Sequence, residues 1–347
     1  MARFRWGIAA LCILLAAGCR QAGSTNPDTA ATTAASNSKP ALRIGFQKGG
    51  ALNVLRLRGD LEKRLAPQGV SVQWLEFPAG PQTLEAIGTG SVDLSSMGDA
   101  PPVFAQAAGI PVVYVANQPP GDASGRAILV SHDSSIRSVA DLCGKRIAIQ
   151  KGSGTHNFLI QALQRAGVPY DQVKPAYLSP PDARAAFDSG SVDAWAIWDP
   201  YMTVARRKAN ARVLIDGAGT VSAGGFYVSS RDFATHHPDL IRTTLEEADR
   251  TSVWIEDHPH EAAEILSKAI KVDVATLEEI QRRTQKGRRH VGYRPIDADV
   301  IKTQQLLADN FYRVGLLPKP VDIRTGLLTP AQYAALTPDG GVATAKR

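Results

Sequence analysis

Cysteine is scarce: the 347 residues hold three, and only Cys143 lies beyond residue 19. A lone thiol excludes a disulfide framework within the folded part, so buried apolar area must supply the stability. Recognisable reactive centres are missing too. The seven histidines form no His/Cys set with metal-ligand spacing, and no Ser/His/Asp arrangement stands out. Cys143 precedes a strand instead of sitting on a glycine turn, which weighs against a cysteine nucleophile. After residue 19 no apolar run reaches membrane length. No basic stripe with interleaved aromatics occurs, which weighs against nucleic acid as a partner.

What is present begins with the N-terminus. Arg3 and Arg5 precede the apolar run "WGIAALCILLAA", the pattern of an export signal over residues 1–19. The run ends at "LLAAGC", which resembles the lipobox of bacterial lipoproteins and makes Cys19 the expected lipidation site. It departs in having Ala16 where Leu is usual, with Leu15 one place further back; signal-peptidase cleavage is the alternative. Residues 20–41 are rich in Ala, Ser, Thr and Asn and cannot bury a core, so they read as a flexible tether. The formal charge is +6, and loss of Arg3 and Arg5 with the signal leaves +4. That excess mildly favours small anions. The densest basic run, "RRTQKGRRH" from Arg282, reads as a solvated helix end and loop, or as a charged rim to a site.

The chain then writes one phrase twice. "RIGFQKGG" from Arg43 returns as "RIAIQKGSG" from Arg146, and Gly-Ser-Val-Asp occurs at 90–93 and again at 190–193. Each copy reads as a buried strand, a glycine turn and a helix, "GALNVLRLRGDLEKRL" in the first and "THNFLIQALQRAG" in the second. About 300 residues from Leu42 onward suit two lobes. A glycine turn before a helix leaves backbone N–H groups exposed, a natural seat for an anion. Gly49 and Gly50 open the first turn; Gly152, Ser153, Gly154, Thr155 and His156 offer donors at the second. One such turn alone is more often only a turn. Two at equivalent places present equivalent loops to a shared cleft.

The second echo ends each time on an aspartate before proline-bearing helical sequence, at Gly98–Asp99 and at Trp198–Asp199. Both aspartates can serve simply as N-caps, with Pro200 at the first helical position. Alternation puts Trp195 and Ile197 on one face and Trp198 on the other, so Trp195 is expected in the core and Trp198 at a pocket wall or in ordinary packing. Extended crossings near Arg126 and near Ser230 would join the lobes. From His236 onward four amphipathic helical stretches follow.

The stretches "LRIGFQKGG", "GDAPPVFAQAAG", "QKGSGTHN", "DARAAFDSGSVDAWAIWDPY" and "LPKPVDI" resemble the aliphatic sulfonate-binding proteins of bacterial ABC importers, relatives of taurine- and nitrate-binding proteins. The resemblance runs from about Leu42 to Ile323. It implies a type II periplasmic binding protein fold: two α/β lobes, residues 42–126 with 231–347 and residues 127–230, joined by a two-strand hinge with the ligand cleft between them. It implies ligand contacts from Gln47, Lys48, Gly49, Gly50, Gly98 and Asp99 in the first lobe, and from Gly152 to His156 with Trp198 and Asp199 in the second. Phe226 would meet the ligand's tail. It further implies no cofactor, no catalysis, a monomer in the periplasm, and an ABC permease with its ATPase as partners. Gly50, Gly154 and Gly224 stand where Ser is more usual, and Met97 where Thr is, which leaves the preference among sulfonates open; taurine, nitrate, a sulfate ester or a thiamine precursor is the alternative ligand in the same role. Desulfinating enzymes share the superfamily fold and are the alternative from another class.

Overall fold

The computed structural model describes residues 41–121, 123–285 and 292–336. The export signal, Cys19, residues 20–40 of the expected tether and the latter part of the basic run lie outside them, as does the C-terminal end beyond 336; Ala41, the tether's last expected residue, already belongs to the first strand.

The first half alternates strands and helices: β1 (Ala41–Phe46), α1 (Ala51–Arg58), α2 (Asp60–Leu65), β2 (Ser71–Glu76), α3 (Gly80–Gly88), β3 (Leu94–Gly98), α4 (Ala100–Ala107) and β4 (Val112–Gln118). The single helix expected over 50–65 is two, broken at Gly59. The second half repeats the scheme with β5 (Arg126–Ser131), β6 (Arg146–Ile149), α5 (Gly154–Arg165), β7 (Lys174–Tyr177), α6 (Pro180–Asp188), β8 (Ala194–Trp198), α7 (Tyr201–Lys208) and β9 (Ala211–Asp216). There follow β10 (Gly225–Ser230), α8 (Arg231–His236), α9 (Pro238–Asp257), α10 (Pro259–Ile270), α11 (Val274–Gln285), α12 (Ala298–Arg313) and α13 (Pro330–Leu336).

Two five-stranded sheets result, ordered β2-β1-β3-β10-β4 and β7-β6-β8-β5-β9. In each, the first three strands run parallel, which requires helical crossovers and accounts for the strand–helix alternation. One antiparallel strand completes each sheet, and it is the one that enters from the other half: β10 in the first, β5 in the second. The return crossing is therefore the segment 217–224, ahead of β10, and not near Ser230. Residues 225–230 belong to the first lobe. Apolar clusters cover both faces of both sheets, with Ile44, Leu94 and Val113 under one face of the first and Ile128, Ile147 and Phe158 under one face of the second. Trp195 and Ile197 are buried together as the alternation required.

The sequence echo has a structural reading. Asp93 accepts from the Arg43 backbone N–H at 2.7 Å, and Asp193 from the Arg146 N–H at 2.8 Å, so each aspartate of a Gly-Ser-Val-Asp copy ties the start of β3 or β8 to β1 or β6. Each arginine's side chain also reaches back to its aspartate. Gly90 and Gly190 take the left-handed conformation, φ 71° and 70°, that turns the chain out of α3 and α6.

Candidate functional site

The carboxyl ends of the parallel strands face a cleft of about 410 Å³. Open α/β sheets bind ligands at such ends. Each lobe contributes a glycine turn and a strand end, and they meet crosswise. A Cβ on Gly49 would lie 3.8 Å from the Asp199 carbonyl oxygen, and one on Gly98 would lie 3.8 Å from the Gly154 nitrogen. The turn of either lobe thus confronts the third-strand end of the other.

The first turn is held in place from below. Buried Asn53 donates from Nδ2 to the Lys48 carbonyl at 2.8 Å, so the backbone of Gln47–Gly50 is presented to the cleft. The Lys48 ammonium lies 6.0 Å from the centroid of the Tyr201 ring on the opposite lobe. In the second turn Ser153 caps α5, its Oγ accepting from the His156 N–H at 3.1 Å. The amides of Gly154 and Thr155 follow it at the cleft wall, and helix geometry gives them no intrahelical acceptor. Such a helix start favours negative charge.

Three sequence-predicted contacts are corrected. His156 lies in the interior: its Nδ1 accepts from the Gly152 N–H at 3.1 Å and its Nε2 meets the Tyr170 hydroxyl at 2.6 Å. Burial lowers its pKa to about 3, so it is a neutral packing group. Gly152 is buried against Phe104 and its N–H is committed to that histidine. Phe226 sits in the core, 1% exposed, its ring centroid 4.8 Å from that of Tyr114. The other eleven named positions, from Gln47 through Asp199, all line the cleft.

The two aspartates differ. Asp199 Oδ1 accepts from the Thr203 amide at 3.1 Å and hydroxyl at 2.6 Å, while Oδ2 pairs with Arg283 of α11. It does the capping; Pro200 occupies the cap position and α7 starts at Tyr201. Burial still raises the Asp199 pKa, with Arg283 opposing. Asp99 is 1% exposed and accepts from the Ser222 hydroxyl at 2.6 Å through Oδ2. Its Oδ1 has no hydrogen-bond partner among the described residues. Burial raises its pKa too, against the pull of Arg126. Half-buried Trp198 forms part of the wall.

Sequence reasoning missed Arg126 as a site residue. It begins β5, lines the cleft, and donates from Nη1 to the Gly154 carbonyl at 3.3 Å. A cation heading the otherwise apolar "AILV" of a buried strand was the available signal. Gln118, Tyr201 and Thr284 also line the cleft.

Residues 65–262 match the family described as NMT1/THI5 like. The chain belongs to that family. It is 41% identical to a putative aliphatic sulfonates-binding protein of Escherichia coli strain K12 over 86% of this chain and 92% of that one. Among solved structures, the alkanesulfonate-binding protein of Xanthomonas axonopodis pv. citri, bound to MOPS, is 40% identical with a TM-score of 0.79, covering 83% of this chain and 98% of that one. The likeness to that solved structure shows the periplasmic binding protein fold, and the similar proteins named here are binding proteins. A desulfurization enzyme shares the fold at 16% identity, a TM-score of 0.58 and coverage of 86% of this chain and 99% of that one, which shows the fold alone.

Proposed function

We propose that this chain captures aliphatic sulfonates outside the cytoplasm and delivers them to an ABC permease and its ATPase for sulfur uptake. Cys19 anchors it by lipid on the periplasmic side, and it acts as a monomer. The observation that carries the reading is the crosswise cleft. It combines first-turn amides of α5, the cations Lys48 and Arg126, and the Trp198 ring in one space. A sulfonate is ionised at every physiological pH and has three acceptor oxygens, so converging N–H donors suit it, and the ring covers the adjoining carbons. Donors come from both lobes, so the ligand favours the closed arrangement through its extra contacts there. The names of the similar family members support the same ligand class.

A second reading is favoured by Asp99. Its Oδ1 has no hydrogen-bond partner among the described residues, which suits a sulfonate that also carries an ammonium, as taurine does.

Calorimetry on the chain freed of residues 1–19 separates these readings. Ethanesulfonate is expected to bind, with Arg126→Ala weakening it at least tenfold. Preference for taurine, abolished by Asp99→Asn, supports the second reading. Binding of nitrate or of a sulfate ester with no sulfonate bound overturns both.

A further inference from the structure

A second chamber of about 380 Å³ adjoins the cleft, enclosed by α9, α10, α11 and the start of α1. Lys48, Gly49, Gly50, Gln118, Asp199 and Pro200 wall both spaces, and Gly50, with open space where a side chain would stand, leaves a way between them. The far walls are mainly apolar, with Val54, Ile255, Leu266, Ile270, Leu277 and Ile280, and Ser252, Glu256 and Thr284 stand among them. Ile255, Ile270 and Ile280 are only partly buried although they belong to one apolar cluster, so the chamber leaves hydrophobic surface uncovered. Gln281 also lines it at 8% exposure, and neither its Nε2 nor its Oε1 has a hydrogen-bond partner among the described residues. A buried amide without partners is unfavourable, and it is the kind of group that a ligand atom satisfies.

We infer that this chamber takes the tail of the ligand, and that the preferred substrates are amphiphilic sulfonates whose apolar tail carries a hydrogen-bonding atom, an ether or carbonyl oxygen or an amide, some carbons from the headgroup. The inference rests on the sulfonate reading above. The headgroup sits at the glycine turns, the tail passes Gly50, the isoleucines cover its carbons, and Gln281 meets its polar atom. The exposed apolar walls account for length preference and the amide for the polar atom, a pairing that a headgroup site alone does not require.

Calorimetry with ethanesulfonate, butanesulfonate, octanesulfonate and an octanesulfonate analogue bearing a mid-chain ether tests it. Affinity is expected to rise about fourfold for each methylene that enters the chamber. The ether analogue should exceed the plain chain. Ile280→Trp, which fills the chamber, should weaken octanesulfonate at least tenfold and leave ethanesulfonate within about twofold. Gln281→Leu, a near-isosteric change, should reverse the order of the ether and plain chains; it keeps the test decisive should Ile280→Trp fold poorly. Affinity independent of chain length overturns the inference while leaving the sulfonate reading standing, as does an equal loss for all ligands in Ile280→Trp. Failure of every sulfonate, ethanesulfonate included, overturns both.

Discussion

Asp199 and Arg283 form an ion pair between the end of β8 in the second lobe and α11, the helix that packs on α10. Their side chains are 10% and 19% exposed, so each charge depends on the other for solvation. The Thr203 hydroxyl joins them, donating to Asp199 while lying 2.7 Å from Arg283 Nη2.

Removal of one partner leaves the other charge stranded. Arg283→Ala is expected to cost on the order of 3 kcal/mol in denaturant unfolding, the usual consequence of breaking a buried pair. The double variant with Asp199→Asn should recover much of that loss. An additive double-mutant cycle would contradict the coupling.

Around this pair lies a more exposed set. Arg206 and Arg207 of α7 reach Glu279 of α11, and Lys208 lies 2.8 Å from Asp273. Glu279→Lys turns attraction into repulsion between the two helices. Exposed pairs are worth about 0.2–1 kcal/mol each, so a loss of sulfonate affinity of severalfold is expected, shrinking as salt is raised. Calorimetry at low and high ionic strength measures it.

His156 supplies the acid sensitivity. Burial lowers its pKa from 6.5 to about 3, so the folded state binds fewer protons than the unfolded chain between those values. The stability from keeping it neutral is complete above pH 6.5 and is lost as pH falls toward 3, at up to about 1.4 kcal/mol per pH unit. His156→Gln should flatten that slope in urea titrations run from pH 7.5 to 5. An unchanged slope would place the titration elsewhere.

Gly224 marks the return crossing. It stands at φ 97°, and a Cβ there would lie 2.1 Å from the Gln118 carbonyl oxygen and 2.7 Å from the Pro120 nitrogen, where the two crossings touch. Gly224→Ala combines strain with collision and should cost more than about 2 kcal/mol, read as a lowered thermal midpoint. A neutral result would mean that the crossings can separate freely.

Residue order carried the repeated strand, glycine turn and helix, the paired strand ends, the core side of Trp195, and the helical stretches after His236, because periodicity and turn chemistry are local properties. The two glycine turns and the two strand ends of the cleft lining were legible on the same ground: equivalent loops in two equivalent lobes face one space. Folding settled what depends on partners distant in the chain. The Gly-Ser-Val-Asp aspartates hold Arg43 and Arg146 across about fifty residues, His156 turns inward to Gly152 and Tyr170, and Phe226 packs on Tyr114 because β10 enters the first sheet. Asp199 finds its counter-ion 84 residues away, and Arg126 meets Asp99 and Gly154 only when the strands from both halves assemble. Burial and charge pairing are sums over three-dimensional neighbours, and no pattern along the chain encodes them.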